Sequence, residues 1–197
     1  MSTITISPLR AEDIEAVARL HAAELPYSFN SKLGGKHLVC IYRAMLEQPD
    51  SYVGVAMDAG IPVGVVSGTL DARKLKPAIL RSLGLRGQLR MIARLLRKPS
   101  AGFTLLEEMK SRPPVKADGL EVNACLTAIA VASSHRRMGL AARLVASLED
   151  FFRAHAASHY WLDTIVENAG ARAFYQRLGF TEIATHGRTV VLLKRLK

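Results

Sequence analysis

The chain has 197 residues, 49% of them hydrophobic, and a net charge of +10; these values are typical of one globular domain over residues 1–197 and exclude a disordered chain. No apolar run reaches the ~18–20 residues of a membrane-spanning helix, and the first residues lack the pattern of a secretion signal, so we expect a cytoplasmic protein. Cys40 and Cys125 are too few for a disulfide framework, and the histidines lack metal-binding spacing, so we expect reduced thiols and no metal.

The first seventy residues predict a β-α-α-β-β order. Alternating Thr and Ile predict an opening strand, and apolar residues at helical spacing predict the two helices that follow it. A turn signal that begins at Asp58 separates two β-rich runs and predicts a hairpin. The predicted elements are strand Thr3–Ser7, a helix from Arg10 to about Leu25, loop Tyr27–Gly35, helix His37–Glu47, and strands Tyr52–Met57 and Pro62–Leu70.

A basic segment interrupts this pattern at about residues 72–116. Nine basic residues and no acidic one lie between Ala72 and Lys98, so the segment carries nearly all of the net charge. Glycines and prolines predict breaks between three short helices, at about Pro77–Leu83, Gln88–Leu96 and Thr104–Lys110. Leucines interleave with the basic residues, which leaves four roles open: a lid packed on the core, attraction of an anionic acceptor, contact with a membrane surface, or contact with an acidic protein or RNA. Nucleic acid is the partner that we expect least.

Alternating strands and helices resume after the basic segment. The predicted elements are strand Leu120–Val131, a helix at about Gly139–Ala156, strand His159–Val166, helix Asn168–Leu178, and a hairpin of Thr181–Ala184 and Thr189–Leu193. Apolar spacing in the first of these helices predicts that Ala142, Val145, Leu148 and Phe152 face the core. The order of the elements predicts an α/β fold with a mixed sheet.

A short basic turn joins the strand that ends at Val131 to the helix that follows. It reads Arg136-Arg-Met-Gly-Leu-Ala-Ala142. The first N–H groups of a helix have no partner within the helix, and the helix dipole makes this end partially positive. Gly139 lets the main chain approach a ligand closely, and the two arginines add charge. The turn therefore predicts a phosphate-binding site, and it matches neither a dinucleotide fingerprint nor a Walker loop.

A second motif follows the next predicted strand and reads Asn168-Ala-Gly-Ala-Arg-Ala-Phe-Tyr-Gln-Arg-Leu-Gly-Phe180. Together the two motifs resemble the GNAT superfamily of N-acetyltransferases. In that superfamily a [QR]xxGx[GA] turn holds the pyrophosphate of acetyl-coenzyme A, and an NxxAxxFYxxxGF segment faces the coenzyme. The resemblance implies a GNAT-like, mixed and mostly antiparallel central sheet flanked by helices, with the basic helical segment inserted between strands.

The resemblance also implies acetyl-coenzyme A as co-substrate and residues that hold it. Main-chain groups of Ile129, Ala130 and Val131 would pair with the pantetheine arm, and an N–H near Ile129 would face the thioester oxygen. The other coenzyme-binding residues that it implies are Arg136, Arg137, Met138, Gly139, Leu140, Ala141, Ala142, Asn168, Ala171 and Phe174. Asn168 could also cap the helix that it precedes.

Tyr175 is the candidate general acid. A phenol with an ordinary pKa of ~10 stays protonated at neutral pH and can donate its proton to a departing thiolate. The alternative is a tyrosine that only packs its helix against the sheet.

Glu121 is the candidate general base. Period-two alternation along the predicted strand places it on one face with Asn123, Cys125 and Thr127. The alternatives are that Glu121 faces solvent and that ordered water removes the proton of the amine. His37, His135 and His159 are expected on the surface or in loops rather than in catalysis.

The implied reaction is direct transfer of an acetyl group to a primary amine. In the superfamily the first two helices and the loop between them commonly form the acceptor wall, which points to Tyr27, Phe29 and Asn30. An amino sugar or another small amine, including an anionic one, is the expected acceptor. The alternatives are a protein N-acetyltransferase and an inactive fold that only binds the coenzyme or a membrane surface. A homodimer also stays open.

Overall fold

Seven strands form one sheet in the computed structural model, which describes residues 4–75, 77–84 and 114–197. The strands of the described residues are β1 (Thr5–Pro8), β2 (Ser51–Asp58), β3 (Ile61–Thr69), β4 (Lys116–Ala117), β5 (Leu120–Glu121), β6 (Cys125–Val131), β7 (His159–Ile165), β8 (Thr181–His186) and β9 (Thr189–Arg195). Strands β4 and β5 form a separate hairpin, and the sheet order is β1-β2-β3-β6-β7-β9-β8. Every neighbouring pair in the sheet is antiparallel except β6 and β7, so the predicted mixed, mostly antiparallel sheet is confirmed.

Helices cover both faces of the sheet. They are α1 (Ile14–Glu24), which follows a 3₁₀ turn at Ala11–Asp13, α2 (Phe29–Lys32), α3 (Gly35–Leu46), α4 (Leu140–Ala154) and α5 (Ala169–Arg177). Residues 72–75 and 77–84 are also helical. The predicted loop before α3 therefore contains the short helix α2, which Ser28 caps by accepting a hydrogen bond from the N–H of Ser31.

Each face of the sheet buries its own apolar cluster. The cluster beneath α1 and α3 includes the fully buried Val17, Leu38 and Val65. The cluster beneath α4 and α5 includes the fully buried Leu144, Leu148 and Phe152. Each such side chain contributes about 1.5–3 kcal/mol by leaving water, so apolar burial holds both helical layers on the sheet.

The predicted inward face of α4 is correct for three of its four residues. Val145, Leu148 and Phe152 are buried, but Ala142 is only partly buried. The buried stripe also runs through Leu144, and at about 100° per residue Ala142 lies about 60° beyond Val145, on the side away from Leu144. Ala142 therefore lies at the margin of the stripe, in the first turn of the helix.

The single predicted strand Leu120–Val131 is wrong, because it is divided into β5 and β6. Glu121 pairs with Lys116 in the small hairpin, and residues 122–124 belong to neither strand. The register between β3 and β6 also shifts at Thr127, where a bulge inserts one extra residue. Because a bulge reverses the alternation of side chains, the predicted common face of Glu121, Asn123, Cys125 and Thr127 does not exist: Cys125 is buried and Thr127 is exposed.

The start of the basic segment is tied to the sheet by ion pairs. Arg73 contacts Asp71 at 2.9 Å, and Lys74 contacts Asp50 at 2.7 Å. The helical residues 77–84 agree with the first predicted helix of the segment. The other two predicted helices, Gln88–Leu96 and Thr104–Lys110, lie outside the described residues. Among the helices that the structure describes, none combines the length and the apolar character needed to cross a membrane.

Candidate active site

The sheet opens between β6 and β7, which are the only parallel neighbours among the described strands. The two strands pair at Cys125 and Trp161, and the N–H of Trp161 donates to the carbonyl of Ala124 at 3.1 Å. No further pairing of these strands occurs in the described sheet, although β6 continues to Val131 and β7 to Ile165. The strands therefore diverge from one end, and a gap opens between them.

The edge of β6 that faces this gap carries main-chain N–H groups that have no partner among the described residues. The N–H of Ala132 donates to the carbonyl of Val63 at 2.8 Å, so residues 130 and 132 point towards β3. Successive residues of a strand direct their N–H groups to opposite edges, so Ile129 and Val131 point into the gap. A peptide-like ligand could add to this edge as a strand does, with the N–H of Ile129 as a donor. Ala130, in contrast, directs its main-chain groups to β3 and buries its side chain in the cluster beneath α1 and α3, so its predicted contact with the pantetheine arm has no free main-chain group behind it.

The basic turn leads from the end of β6 to the first residue of α4. Arg137 and Gly139 both have left-handed backbone conformations, with φ of 64° and 72°, and Gly139 is the N-cap of α4. The main chain bends sharply at both residues, and a Cβ added at Gly139 would meet no atom within 4 Å. The N–H groups of Leu140, Ala141 and Ala142 lack intrahelical partners at this helix start. The turn is therefore an open cradle lined by N–H donors.

The two arginines of the turn have different surroundings. The Arg136 guanidinium forms an ion pair with Glu24, and its Nε donates to the carbonyl of Val131 at 3.3 Å. Arg137 is exposed and has no side-chain partner in the part of the chain that the structure describes. The exposed Met138 lies between them. Arg137 is thus the cation of this turn that is free to meet a phosphate, whereas a phosphate contact of Arg136 stays a prediction.

His135 connects the same turn to the β2–β3 hairpin. Its Nε2 lies 3.0 Å from Oδ2 of Asp58, and its Nδ1 lies 2.8 Å from Oγ of Ser134. The three residues form a hydrogen-bonded chain, and His135 is half-buried within it. This contact fixes the 3₁₀ turn of Ser133–His135 that precedes the cradle.

The second motif forms α5, which begins beside the gap after β7. The side chain of Asn168 caps the helix by accepting a hydrogen bond from the N–H of Ala171 at 3.1 Å, so the predicted cap is confirmed. Ala171 and Phe174 are partly buried against the cluster beneath α4. Contacts of these three residues with a coenzyme stay predictions.

Tyr175 is buried on the α5 side of the sheet, and its ring packs edge-on against Phe180 at 5.4 Å. Burial raises the pKa of its phenol above the ordinary value, because the interior disfavours the charged phenolate. The contacts of its ring are with Phe174 and Phe180, and no hydrogen bond of its hydroxyl occurs among the described residues. A protonated hydroxyl that lacks a protein partner can donate a hydrogen bond to a ligand.

A pocket of about 440 Å³ lies on the opposite face of the sheet, next to the point where β6 and β7 meet. Tyr160 and Leu162 of β7 join the cluster beneath α4, so Trp161 between them faces the other way and lines this pocket. The polar lining consists of Arg73, Lys116, Glu121, Asn123 and His186. The pocket therefore combines an aromatic wall with a few charged groups, as ligand sites commonly do.

Glu121, the predicted base, lines this pocket and lies 3.6 Å from the Arg73 guanidinium. Half of its side chain is exposed. The predicted acceptor residues do not line the pocket: Tyr27 is 85% exposed, and Phe29 and Asn30 are half-buried in α2. The structure thus presents two candidate acceptor surfaces, the pocket and the loop that contains α2.

Sequence reasoning missed Glu24, Asp58 and Trp161 at this site. Glu24 ends α1 and Asp58 ends β2, and both reach the turn before α4 only through the folding of the chain. Trp161 was available as the single tryptophan of the chain, next to a buried strand residue. His37, expected on the surface, is buried in α3, because its position coincides with the inner face of that helix.

The sequence model of the acetyltransferase (GNAT) family matches residues 102–180. This range contains the basic turn Arg136–Ala142 and the motif Asn168–Phe180. No curated protein matches the chain in sequence at a significant level.

Solved structures similar to this chain include three N-acetyltransferases. PaiA N-acetyltransferase from Thermoplasma acidophilum, in complex with coenzyme A, has a TM-score of 0.64 and 12% identity over 98% of this chain and 99% of that chain. The ribosomal-protein-S18-alanine N-acetyltransferase from Escherichia coli has a TM-score of 0.59 and 17% identity over 99% and 95%. The aminoglycoside antibiotic 6′-N-acetyltransferase AAC(6′)-Ih from Acinetobacter baumannii has a TM-score of 0.60 and 16% identity over 93% and 95%. At these identities the matches show the fold alone.

Proposed function

We propose that this chain, a member of the acetyltransferase (GNAT) family by its segment 102–180 and by its fold, transfers an acetyl group from acetyl-coenzyme A to a primary amine. The observation that carries the proposal is the gap between β6 and β7, which leads directly to an N–H-lined cradle at the start of α4. A free strand edge followed by a phosphate-sized cradle fits a ligand with an amide-bearing arm and a pyrophosphate. Acetyl-coenzyme A has both, and it supplies the acetyl group as a thioester.

The cradle binds the pyrophosphate mainly through main-chain donors. The N–H groups of Leu140, Ala141 and Ala142 point along the start of α4, where the helix dipole favours negative charge. Gly139 leaves the space that a phosphate needs, since a Cβ at this position would project into it. Arg137 adds a charge-assisted contact from the rim.

The free edge of β6 orients the arm and the thioester. The N–H groups of Ile129 and Val131 lie in the gap, where a hydrogen bond to the thioester oxygen would stabilise the charge that develops on it. A donor that is already fixed in place lowers the activation barrier of acetyl transfer, because it does not have to reorient during the reaction.

Tyr175 donates its proton to the departing sulfur. Burial raises the pKa of its phenol above the ordinary value of ~10, so the phenol is protonated at neutral pH. Its hydroxyl forms no hydrogen bond with another described residue, so it is available for this contact.

The acceptor amine enters from the opposite face, through the pocket beside Trp161. Glu121 is placed to attract an ammonium group and to take its proton through water, but Arg73 neutralises part of its charge. A solvent water that carries the proton away is the alternative to a dedicated base. The aromatic and aliphatic lining favours a small amine with an apolar body.

The proposal is tested with the purified protein, acetyl-coenzyme A and a panel of amines. The panel contains amino sugars, aromatic and aliphatic monoamines, polyamines and peptides with free N-termini, and thiol release is followed over time. Binding of coenzyme A by calorimetry is measured in parallel. Thiol release that depends on one amine class identifies the acceptor, and acetylation of peptides alone would indicate a protein N-acetyltransferase.

Two outcomes would overturn parts of the proposal. Tight coenzyme A binding without acetyl transfer to any amine would indicate an inactive fold that only binds the coenzyme. A folded protein that binds neither coenzyme A nor acetyl-coenzyme A would contradict the coenzyme site itself.

A further inference from the structure

Glu24 holds the turn before α4 with both of its carboxylate oxygens. Oε1 accepts a hydrogen bond from the N–H of Ser133 at 3.0 Å, and Oε2 forms an ion pair with the Arg136 guanidinium. Arg136 in turn donates to the carbonyl of Val131. Only 15% of the Glu24 side chain is exposed. One carboxylate therefore connects the end of β6, the 3₁₀ turn and the basic turn.

The sign of this charge is unexpected for its position. A carboxylate beside a cradle for pyrophosphate repels the ligand. If the Glu24 carboxylate has no function at this position, its removal should raise the affinity for coenzyme A. A role in shaping the turn predicts the opposite sign, because a distorted turn loses its N–H donors. The two explanations therefore differ in the direction of one measured effect.

Glu24 also borders the loop that precedes α3. It is the last residue of α1, and Leu25 follows it as the C-cap. The N–H of Ser28 donates to the carbonyl of Leu25 at 3.1 Å, and Ser28 then caps α2. A continuous series of short hydrogen-bonded turns thus links Glu24 to α2.

We infer that Glu24 is a positioning residue that shapes the coenzyme cradle through Ser133 and Arg136 and couples its occupation to the order of residues 25–33. The inference rests on the proposed coenzyme site. Arg136 acts here as the counter-ion of Glu24 rather than as a phosphate ligand, which leaves Arg137 as the cation of the cradle. Coenzyme binding and the loop that contains α2 then stabilise each other, as linkage between two sites requires.

A double-mutant cycle measures the first part of the inference. Coenzyme A affinity is determined by calorimetry for the wild type, Glu24→Ala, Arg136→Ala and the double variant. Each single variant should weaken binding roughly tenfold, and the double variant should weaken it by about the same factor, because the two residues act as one unit. Glu24→Gln keeps an acceptor for Ser133 and loses the ion pair, so it should fall between wild type and Glu24→Ala.

The control variant is Glu15→Ala, on the same helix. Glu15 is exposed and lies 3.8 Å from Arg19 on the surface of α1, far along the helix from the cradle. Its removal deletes the same charge and should leave coenzyme A affinity unchanged. The melting temperature of every variant is compared with that of the wild type, so that a general loss of stability is recognised.

Hydrogen exchange measures the second part. In the wild type, saturating coenzyme A should slow amide exchange in residues 25–33 by at least about fivefold, the lower end of typical coupling between sites. Glu24→Ala at saturating coenzyme A should lose this slowing, although the ligand is bound. A residue that only stabilises the fold would not remove a ligand-dependent effect.

Three results would overturn the inference. Tighter coenzyme A binding by Glu24→Ala would mean that the carboxylate only repels the ligand. An additional, fully additive loss from Arg136→Ala in the double variant would mean that Arg136 contacts the phosphates directly. Unchanged exchange in residues 25–33 on coenzyme A binding would remove the coupling. If the wild type itself does not bind coenzyme A, the proposed function fails instead, and the two failures are distinguished.

Discussion

The proposed coenzyme site is drawn from one short stretch, residues 129–142, together with α5, whereas the pocket on the other face takes its lining from residues between Ala72 and Val191. The first region works through main-chain groups whose positions follow from a strand end, two left-handed residues and a helix start. The second region works through side chains from the start of the basic segment, the small hairpin and three strands of the sheet.

This difference explains why the main-chain cradle can be recognised in the sequence as a motif, whereas the side-chain pocket cannot. A main-chain cradle needs only a local pattern of small residues at fixed spacing. A side-chain pocket needs residues that meet through long-range folding, and these can be exchanged one by one as the acceptor changes. We therefore expect substitutions on the coenzyme side to affect binding of every substrate pair, and substitutions around the pocket to affect one acceptor class.

The largest effect is expected from Gly139→Glu. A carboxylate at this position would face the phosphates, so coenzyme A affinity should fall by at least roughly a hundredfold. Calorimetry with coenzyme A measures it. Gly187→Glu is the matched control, since Gly187 also has a positive φ and open space around its Cβ but lies in the β8–β9 turn. Equal affinities of the two folded variants would contradict the cradle.

Tyr175→Phe should lower turnover by roughly 10²-fold while leaving coenzyme A affinity nearly unchanged. The substitution keeps the packing ring and deletes the hydroxyl that has no protein partner among the described residues. Steady-state kinetics on the best amine of the panel measure the change. Tyr52→Phe, whose ring stacks on Phe151 away from the gap, should keep wild-type turnover. Wild-type turnover of Tyr175→Phe would make Tyr175 a packing residue.

We expect the folded protein to lose stability at acid pH because of a buried histidine on the α1–α3 side of the sheet. His21 is buried there, its Nδ1 lies 2.7 Å from the Tyr42 hydroxyl, and burial lowers its pKa to about 4. Below the unfolded-state pKa of ~6.5 the unfolded chain binds a proton that the folded chain does not, so stability is present above pH 6.5 and is lost as the pH falls towards 4. The free energy of unfolding should drop by about 2 kcal/mol between pH 7 and pH 5 from this residue.

Urea unfolding of the wild type and His21→Gln at the two pH values isolates this contribution. The variant lacks the titrating ring, so its loss of stability between pH 7 and pH 5 should be smaller than that of the wild type by the same amount. Parallel pH dependence of the two proteins would show that His21 binds a proton equally in the folded and the unfolded chain, which would contradict a pKa lowered by folding.

The two candidate acceptor surfaces can be separated by Trp161→Ala and Tyr27→Ala. If the pocket binds the acceptor, Trp161→Ala should raise the acceptor KM roughly tenfold, because a large aromatic contact contributes about 1.5–3 kcal/mol. Coenzyme A affinity should change little in either variant. A raised KM in Tyr27→Ala alone would place the acceptor at the loop that contains α2 and would contradict the pocket.

The smallest effect on the coenzyme is expected from the basic segment. Arg86, Arg90, Arg94 and Arg97 lie outside the described residues, and reversing them to Glu should leave coenzyme A affinity unchanged. The reversal should slow association with an anionic acceptor or an anionic bilayer. In the wild type this association should depend strongly on salt, since exposed charges are screened within ~10 Å at 0.1 M salt. Acceptor kinetics and liposome binding at low and high salt measure this. Flat salt profiles of the wild type would favour a lid with ordinary packing.

Most elements were predictable because their signals are local. The hairpin of β2 and β3, the helix α4 and the cap at Asn168 follow from turn residues, apolar spacing and side-chain capping within a few positions. The break between β5 and β6 and the bulge at Thr127 were not predictable from the same signals, because residues 120–131 read as one continuous apolar strand. Only pairing with β3 reveals that one residue is extra.

The amino-acid sequence by itself determined the cradle, because the donors of a helix start and the freedom of Gly139 are properties of adjacent residues. The candidate acid Tyr175 came from the resemblance of residues 168–180 to the second GNAT motif, together with the ordinary pKa of a phenol. The tertiary structure decided which distant residues meet around the site: that Glu24 contacts Ser133 and Arg136, that Glu121 lies in a hairpin beside Arg73, and that Trp161 lines a pocket. These contacts join residues up to 112 positions apart, and charges at such separations meet only after the sheet has brought their elements together.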